Sequence, residues 1–235
     1  IGDGMDHGII TVEQILEKSS NVGAAKISDR LTGDGVLSIL ARFGFGEYTG
    51  AMLPGESIGY FPEQERLSSL KKRSLSFGYG ISVTTAQLAR AYSVFANNGY
   101  LQDLKISKDL ISREATQIVS KKTSNQILMM LRKAVLQGTG KLAQIDNFDV
   151  AGKTGTVRKA NAEGYSNDEH TVFFAGILPT KSTNYVCVVV IDNPKLNGST
   201  GGDVAAPIFS KLMGELIRTF ALEPSFNNSG LKGEI

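Results

Sequence analysis

Val150-Ala151-Gly152-Lys153-Thr154-Gly155-Thr156 sets a cation, two hydroxyls and two glycines at the end of a predicted strand. Lys153 offers charge to an anionic ligand, and the flanking threonines offer hydrogen bonds. Gly155 removes a side chain where something must lie against the backbone. The stretch therefore reads as the edge of a substrate groove. Two other readings compete. Gly152-Lys153-Thr154 is half of a phosphate-binding loop, but that motif needs glycine where Asn147 stands and a helix directly after the Lys-Thr pair. Here Gly155 follows, and then a polar stretch from Val157 to Asp168 without helical period. The plainer alternative is a hairpin strand ending in a glycine turn.

The totals narrow the classes. The chain has 235 residues, enough for one large domain or two small ones, and 41% are hydrophobic, so a sizeable core is available. With 25 basic and 23 acidic residues the net charge is +2, and the bases do not gather on one face, so nucleic acid is not an expected partner. Lys71-Lys72-Arg73 reads as a solvated surface. One cysteine, Cys187, excludes an internal disulfide and reads as a small core residue; two histidines and one cysteine leave little for a metal, and no cofactor is expected. The longest apolar run, Tyr185 to Ile191, is far too short to span a bilayer. No signal peptide is visible, and a chain opening on Ile1 is expected to be a fragment, with any anchor or leader upstream.

Along the chain, Thr11-Val12-Glu13-Gln14 is a capping box opening a short helix. It runs into Ser19-Ser20-Asn21, which helix stops and caps could explain, although one cap needs one such residue. A second helix is predicted over about 22–31, a turn at Gly33-Asp34-Gly35, and a third helix over 36–43. A loop follows through Pro54, Gly55 and Pro62. Phe77-Gly78-Tyr79-Gly80 leads into a second capping box, Thr84-Thr85-Ala86-Gln87, and a helix to Ala96 with Leu88, Ala91, Tyr92 and Phe95 facing inward. Short strands are predicted within 101–119. A helix capped at 123–126 and ending near Val135 buries Ile127, Met130, Leu131 and Val135. Three antiparallel strands are then predicted at about 149–157, 170–178 and 184–191, with a polar loop over 158–169. The third, apolar at every position from Val186 to Ile191, should be covered on both faces. Asp203 should cap a last helix to about Ala221, with Ile208, Leu212, Leu216 and Phe220 inward. The tail from Glu223 should fray. This order predicts an α+β fold, an antiparallel sheet flanked by helices.

A Ser-x-Asn after a helix, a glycine-aromatic stretch and a Lys-Thr-Gly on a late strand occur here in one order, Ser19-Ser20-Asn21, Phe77 to Gly80 and Lys153 to Thr156. That order resembles the penicillin-binding proteins and serine β-lactamases, over nearly the whole chain. Phe77 to Gly80, with Thr84, Gln87, Leu88 and Ala89, resembles class B transpeptidases of the division type. The resemblance implies a serine β-lactamase/transpeptidase-like fold, with residues 1–222 as a transpeptidase domain and 223–235 as a polar tail.

The resemblance also implies a reaction: acyl transfer through a serine ester, crosslinking peptidoglycan stem peptides, with β-lactam antibiotics trapped as mimics. The family's first motif, Ser-x-x-Lys, should precede Ser19 and is not within residues 1–18; Ser68-Ser69-Leu70-Lys71, Ser69-Leu70-Lys71-Lys72 and Ser229-Gly230-Leu231-Lys232 are chance matches. The nucleophile is thus expected outside this chain, which alone would be inactive. By the same resemblance Ser19 relays a proton to the leaving amine, Asn21 holds the absent Lys and contacts the substrate amide, and Lys153 keeps the field positive. Thr154 and Thr156 bind the terminal carboxylate, the Thr156 N–H is half of an oxyanion hole, Gly155 lets substrate pair along the strand, and Ser20 and Tyr79 join the substrate contacts. Thr85 stands where the family usually has proline. The parent protein would face the periplasm from the bacterial cytoplasmic membrane, on an upstream transmembrane helix, among division-machinery membrane proteins.

Other readings fit less well. A Ser/His/Asp hydrolase would need His7 or His170 as base, and no Gly-x-Ser-x-Gly elbow is present. A β-lactamase-like hydrolase would need a water-activating Glu in a dedicated loop, and none stands out. A non-catalytic β-lactam-binding sensor or scaffold stays open.

Overall fold

The computed structural model describes residues 1–31, 35–63, 68–161, 164–195 and 200–225, without the side chains of 160, 161 and 164–168. The chain forms two compact units, Ile1–Asn125 and Gln126–Ile235. Part of the expected turn at Gly33-Asp34-Gly35, part of the loop Lys195 to Gly202 and most of the tail lie outside the described residues.

The first unit carries helices α1 (Val12–Lys18), α2 (Asn21–Ser28), α3 (Gly35–Arg42), α4 (Ser69–Leu75) and α5 (Thr85–Ala96), and a two-stranded ribbon of β1 (Tyr100–Leu101) and β2 (Thr116–Gln117). Both predicted capping boxes form. Thr11 Oγ1 accepts the Gln14 N–H while Gln14 returns its amide oxygen to the Thr11 N–H, and Thr84 and Gln87 repeat the exchange. Helix α4 was not expected. The Ser68 hydroxyl accepts the Lys71 N–H and opens it, so the basic run lies on a short helix and Ser69-Leu70-Lys71-Lys72 is its first turn.

Helix α5 buries a face shifted from the one expected, with Ala91 common to both. Gln87, Arg90, Ala91 and Val94 are inside, while Leu88, Tyr92 and Phe95 are half-buried. A polar pair is tolerated there because every group finds a partner. Gln87 donates to the carbonyls of Glu47 and Ile58; Arg90 donates to the carbonyls of Gln102 and Tyr48 and to the Asp103 carboxylate at 3.1 Å. Hydrophobic periodicity does not see such residues. Val94, Leu101 and Ile118 form the small core beside them, with Phe43 and Val119 against it.

The division between the units falls inside α6 (Lys121–Leu136). Ser120, not the predicted 123–126 segment, caps it, its hydroxyl accepting the Thr123 N–H. The second unit continues with a single 3-10 turn at Lys141–Ala143, strands β3 (Ala151–Asn161), β4 (Gly164–Pro179) and β5 (Asn184–Asp192), and helix α7 (Ala205–Phe220). The sheet is antiparallel in the order β3-β4-β5. Strands β3 and β4 run on through much of the predicted polar loop: the pairing reaches Asn161↔Gly164, with a bulge between Arg158 and Ala160. Polar alternation in a hairpin that extends beyond its core looks like loop to a composition reading.

The core of this unit gathers Val135, Val150, Phe174, Leu178, Val189, Ala205, Ala206, Phe209 and Met213. It also corrects two expectations. In β5 the residues Tyr185, Cys187, Val189 and Ile191 face this core, whereas Val190 on the other face is 40% exposed, so the faces are not equally covered. On α7 the buried stripe is Ala205, Ala206, Phe209 and Met213, with Leu216 and Ile217 against it; Ile208, Leu212 and Phe220 are exposed. The expected stripe steps by four, which advances about 40° beyond each turn and winds off the face; alternating steps of three and four stay on it. Asp203 does not cap α7 either. Its carboxylate accepts the Thr200 N–H and hydroxyl, and Gly201 O takes the N–H groups of Ala205 and Ala206. Nor does Glu223 fray: its carbonyl accepts the Lys181 N–H and its carboxylate meets Lys181 Nζ at 2.8 Å.

Candidate active site

In the first unit, Ser19-Ser20-Asn21 joins α1 to α2. Ser19 ends α1 in the left-handed region (φ 57°, ψ 44°), an uncommon place for a residue with a Cβ, and its side chain is exposed. Ser20 is the N-cap of α2, buried to 4% exposure; its hydroxyl accepts the Gly23 N–H at 2.8 Å and donates to Asp3 Oδ2 at 2.5 Å. Asp3 Oδ1 takes the Val22 N–H at 3.0 Å. Partial desolvation works to raise the Asp3 pKa, but the bonds from Ser20 and from the N–H groups of Val22 and Asn21 outweigh it and hold the carboxyl below its ordinary range. A side chain on Gly23 would strike Ile15 at 2.6 Å, so α1 and α2 meet closely.

The Ser20 hydroxyl thus gives its proton to Asp3 and accepts the Gly23 N–H, which leaves it one lone pair. The cap reading explains Ser20 alone; it leaves Ser19 presented to solvent and Asn21 half-buried at the start of the helix. Asp3 was missed by sequence reasoning, because an acid 17 residues before its partner carries no local signal.

Tyr79, between Gly78 (φ 93°) and Gly80 (φ 87°), is half-buried and edge-on to Phe77, with ring centroids 5.7 Å apart. Nothing lies within 4 Å of where a Gly78 Cβ would stand, so the backbone conformation, not crowding, asks for glycine.

In the second unit, Lys153 to Thr156 occupies the first half of β3, not the end of a strand. No helix follows it, which removes the phosphate-loop reading. The strand's other edge has no strand partner among the described residues. Lys153 Nζ donates to the Thr154 carbonyl at 3.1 Å, and burial lowers its pKa to about 8. Thr154 is buried, its Oγ1 2.6 Å from Thr139 Oγ1. Thr156 is exposed, and its Oγ1 accepts the Gly201 N–H at 3.1 Å. Neither Thr139 nor Gly201 had been singled out from the sequence.

The glycines have internal reasons. A Cβ on Gly155 would lie 2.1 Å from the Phe173 ring and one on Gly152 would lie 2.4 Å from the Phe174 ring. At Gly155 the space expected for substrate is filled by that ring on its Cβ side. His170, the base of the rejected hydrolase reading, pairs with Arg158 across the hairpin; the Asp168 side chain is outside the described ones.

The sheet unit thus carries a desolvated lysine and two hydrogen-bonded hydroxyls on one strand, and the helical unit carries Ser-x-Asn between two helices. The family profile described as "Penicillin binding protein transpeptidase domain" matches residues 3–214, and the chain belongs to that family. It is 36% identical over 225 residues to the probable peptidoglycan D,D-transpeptidase PbpC of Pseudomonas aeruginosa, covering 95% of this chain and 40% of that protein. It is 32% identical over 235 residues to the peptidoglycan D,D-transpeptidase FtsI of Escherichia coli K12, covering 100% of this chain and 40% of that protein. Among solved structures, penicillin-binding protein 3 of Mycobacterium tuberculosis in complex with aztreonam superposes with a TM-score of 0.83 at 30% identity, covering 96% of this chain and 56% of that one. The chain thus spans about 40% of the length of these curated relatives, and the α+β fold is that of the penicillin-binding transpeptidases.

Proposed function

We propose that this chain is the larger part of a peptidoglycan D,D-transpeptidase domain, which crosslinks stem peptides through an acyl-serine intermediate. The observation that carries the reading is the edge strand Lys153-Thr154-Gly155-Thr156, with a lysine of lowered pKa and two hydroxyls held from behind. The nucleophile is a serine of a Ser-x-x-Lys segment preceding Ser19 in the full-length protein. It attacks the penultimate D-Ala carbonyl; D-Ala leaves with a proton, and an amine of a second peptide displaces the serine to form the crosslink. Lys153 contributes positive field, and the Thr154 and Thr156 hydroxyls donate to the terminal carboxylate. The Thr156 N–H is one of two oxyanion donors, worth about 3–4 kcal/mol of transition-state stabilisation. Ser19 passes the proton to the leaving amine, and Asn21 orients the upstream Lys and the substrate amide. The open edge of β3 offers its backbone to an extended peptide, while the missing Cβ of Gly155 makes room for the Phe173 ring. Tyr79 lies in the segment that resembles class B enzymes and contributes to substrate binding.

The same reading makes β-lactams covalent inhibitors; aztreonam in the mycobacterial relative supports this. Residues 1–222 are the domain without its Ser-x-x-Lys segment, and 223–235 follow as its tail. The protein works at the periplasmic face of the cytoplasmic membrane, anchored upstream, with division-machinery membrane proteins as partners. The test is labelling of the full-length protein with a fluorescent penicillin. One adduct in wild type and none in Lys153→Ala is expected; normal labelling of Lys153→Ala would overturn the role given to Lys153, and an unlabelled wild type would overturn the function.

A further inference from the structure

Two hydroxyls on one face of β3 are each held by a different neighbour. Residues i and i+2 of a strand share a face, so Thr154 and Thr156 point the same way. Thr156 Oγ1 accepts the Gly201 N–H at 3.1 Å. A backbone N–H only donates, so this bond has one possible direction and leaves the Thr156 proton for something in front of the strand. Thr154 Oγ1 lies 2.6 Å from Thr139 Oγ1, and there either hydroxyl can be the donor.

The two directions differ chemically. If Thr154 donates backwards, it shows only lone pairs to a ligand and repels an anion. If Thr139 donates, Thr154 keeps its proton for the ligand and matches Thr156. We propose that Thr139 is a positioning residue: it donates to Thr154 and so turns the Thr154 proton toward an anionic carboxylate bound in front of β3. A chain of hydroxyls ending on an anion polarises in one sense, which reinforces that direction.

The placement of Thr139 supports the role. It sits in the Gly138-Thr139-Gly140 turn that ends α6, anchored by the Gly140 N–H on Ala134 O at 3.0 Å. A Cβ on Gly202 would come within 2.4 Å of the Thr139 carbonyl oxygen. The turn that supplies the Gly201 N–H to Thr156 thus packs on the residue that faces Thr154, and one small assembly holds both hydroxyls.

The inference rests on the transpeptidase reading, since it assumes a carboxylate ligand. The experiment is acylation of the full-length protein by benzylpenicillin, resolved into a saturation constant and a first-order acylation constant. Thr139→Val is expected to raise the saturation constant roughly tenfold, equivalent to about 1.4 kcal/mol, with the acylation constant unchanged; Thr139→Ser restores it. In a Thr154→Val background, Thr139→Val should add nothing, because Thr139 acts only through Thr154. An unchanged saturation constant in Thr139→Val overturns the proposal, as does a full additional loss in the Thr154→Val background. If Thr139→Val fails to fold, Thr139→Ser and Thr139→Asn, which keep a donor, must retain the wild-type constant or the proposal falls. A wild type that is never acylated overturns the functional reading itself, and this inference with it.

Discussion

The Phe173 ring lies across the Cβ side of Gly155, so close that a single added carbon would stand 2.1 Å from its Cζ. Gly155→Ala must therefore push the ring or the strand aside. Overpacking of this kind costs about 1–3 kcal/mol. Urea unfolding should show that loss, and pairing the change with Phe173→Ala should recover part of it, because the two residues are in contact and their effects do not add. Simple additivity would mean that the ring moves away freely.

Asp3 ties the Ser20 hydroxyl and the Val22 N–H together. Asp3→Ala should cost about 1–2 kcal/mol, the range for losing a helix cap and leaving donors unmet. The folded Asp3 pKa lies below the ordinary 3.8. Its contribution is then complete above pH 3.8 and is lost as pH falls through the lower folded value. Asp3→Asn should flatten that part of the acid stability curve, and an unchanged curve would count against the clamp.

Burial lowers the Lys153 pKa to about 8 from 10.5. Below pH about 8 both folded and unfolded states hold the proton, and the desolvation penalty is fully present. Between about 8 and 10.5 only the unfolded state holds it, so wild-type stability rises with pH there, by an upper bound of about 3 kcal/mol. Lys153→Met should lack this rise in unfolding experiments from pH 7 to 10. In the same range the attraction for an anion fades, so penicillin acylation of the full-length protein should fall above pH about 8.

Arg90 is 4% exposed and its partner Asp103 has a side chain 8% exposed. Asp103→Ala strands a buried charge and should cost about 3–5 kcal/mol. Arg113 also meets Asp103, at 2.7 Å, but is itself 63% exposed, so Arg113→Ala should cost about 1 kcal/mol or less. Equal losses in thermal unfolding would show that the exposed Arg113 contributes as much to the cluster as the buried Asp103 carboxylate.

What the sequence revealed follows from where each signal resides. The capping boxes at Thr11 and Thr84 were legible because both partners lie within one turn. The strands around Phe174 and Val188 were legible from apolar runs. The stripe of α7 was misplaced by about one residue, since Ile208 and Leu212 are as apolar as Phe209 and Met213, and only packing chooses between them. Helix α4 was hidden by its charge. Within the candidate site, Ser19, Asn21 and Lys153 to Thr156 came from motif order, whereas Asp3, Thr139 and Gly201 act across 15 to 45 residues of chain and leave no spacing to read.

The glycines of the hairpin restrict how this surface can vary. Gly152, Gly155 and Gly176 each have an aromatic ring where a methyl would go, from Phe174, Phe173 and Phe209 among them. Substitution at these positions breaks the scaffold before it alters recognition. On the proposed reading, a change of one side chain in the turns around Thr139 and Thr200 to Asp203 retunes the hydroxyls of the strand and leaves its backbone in place.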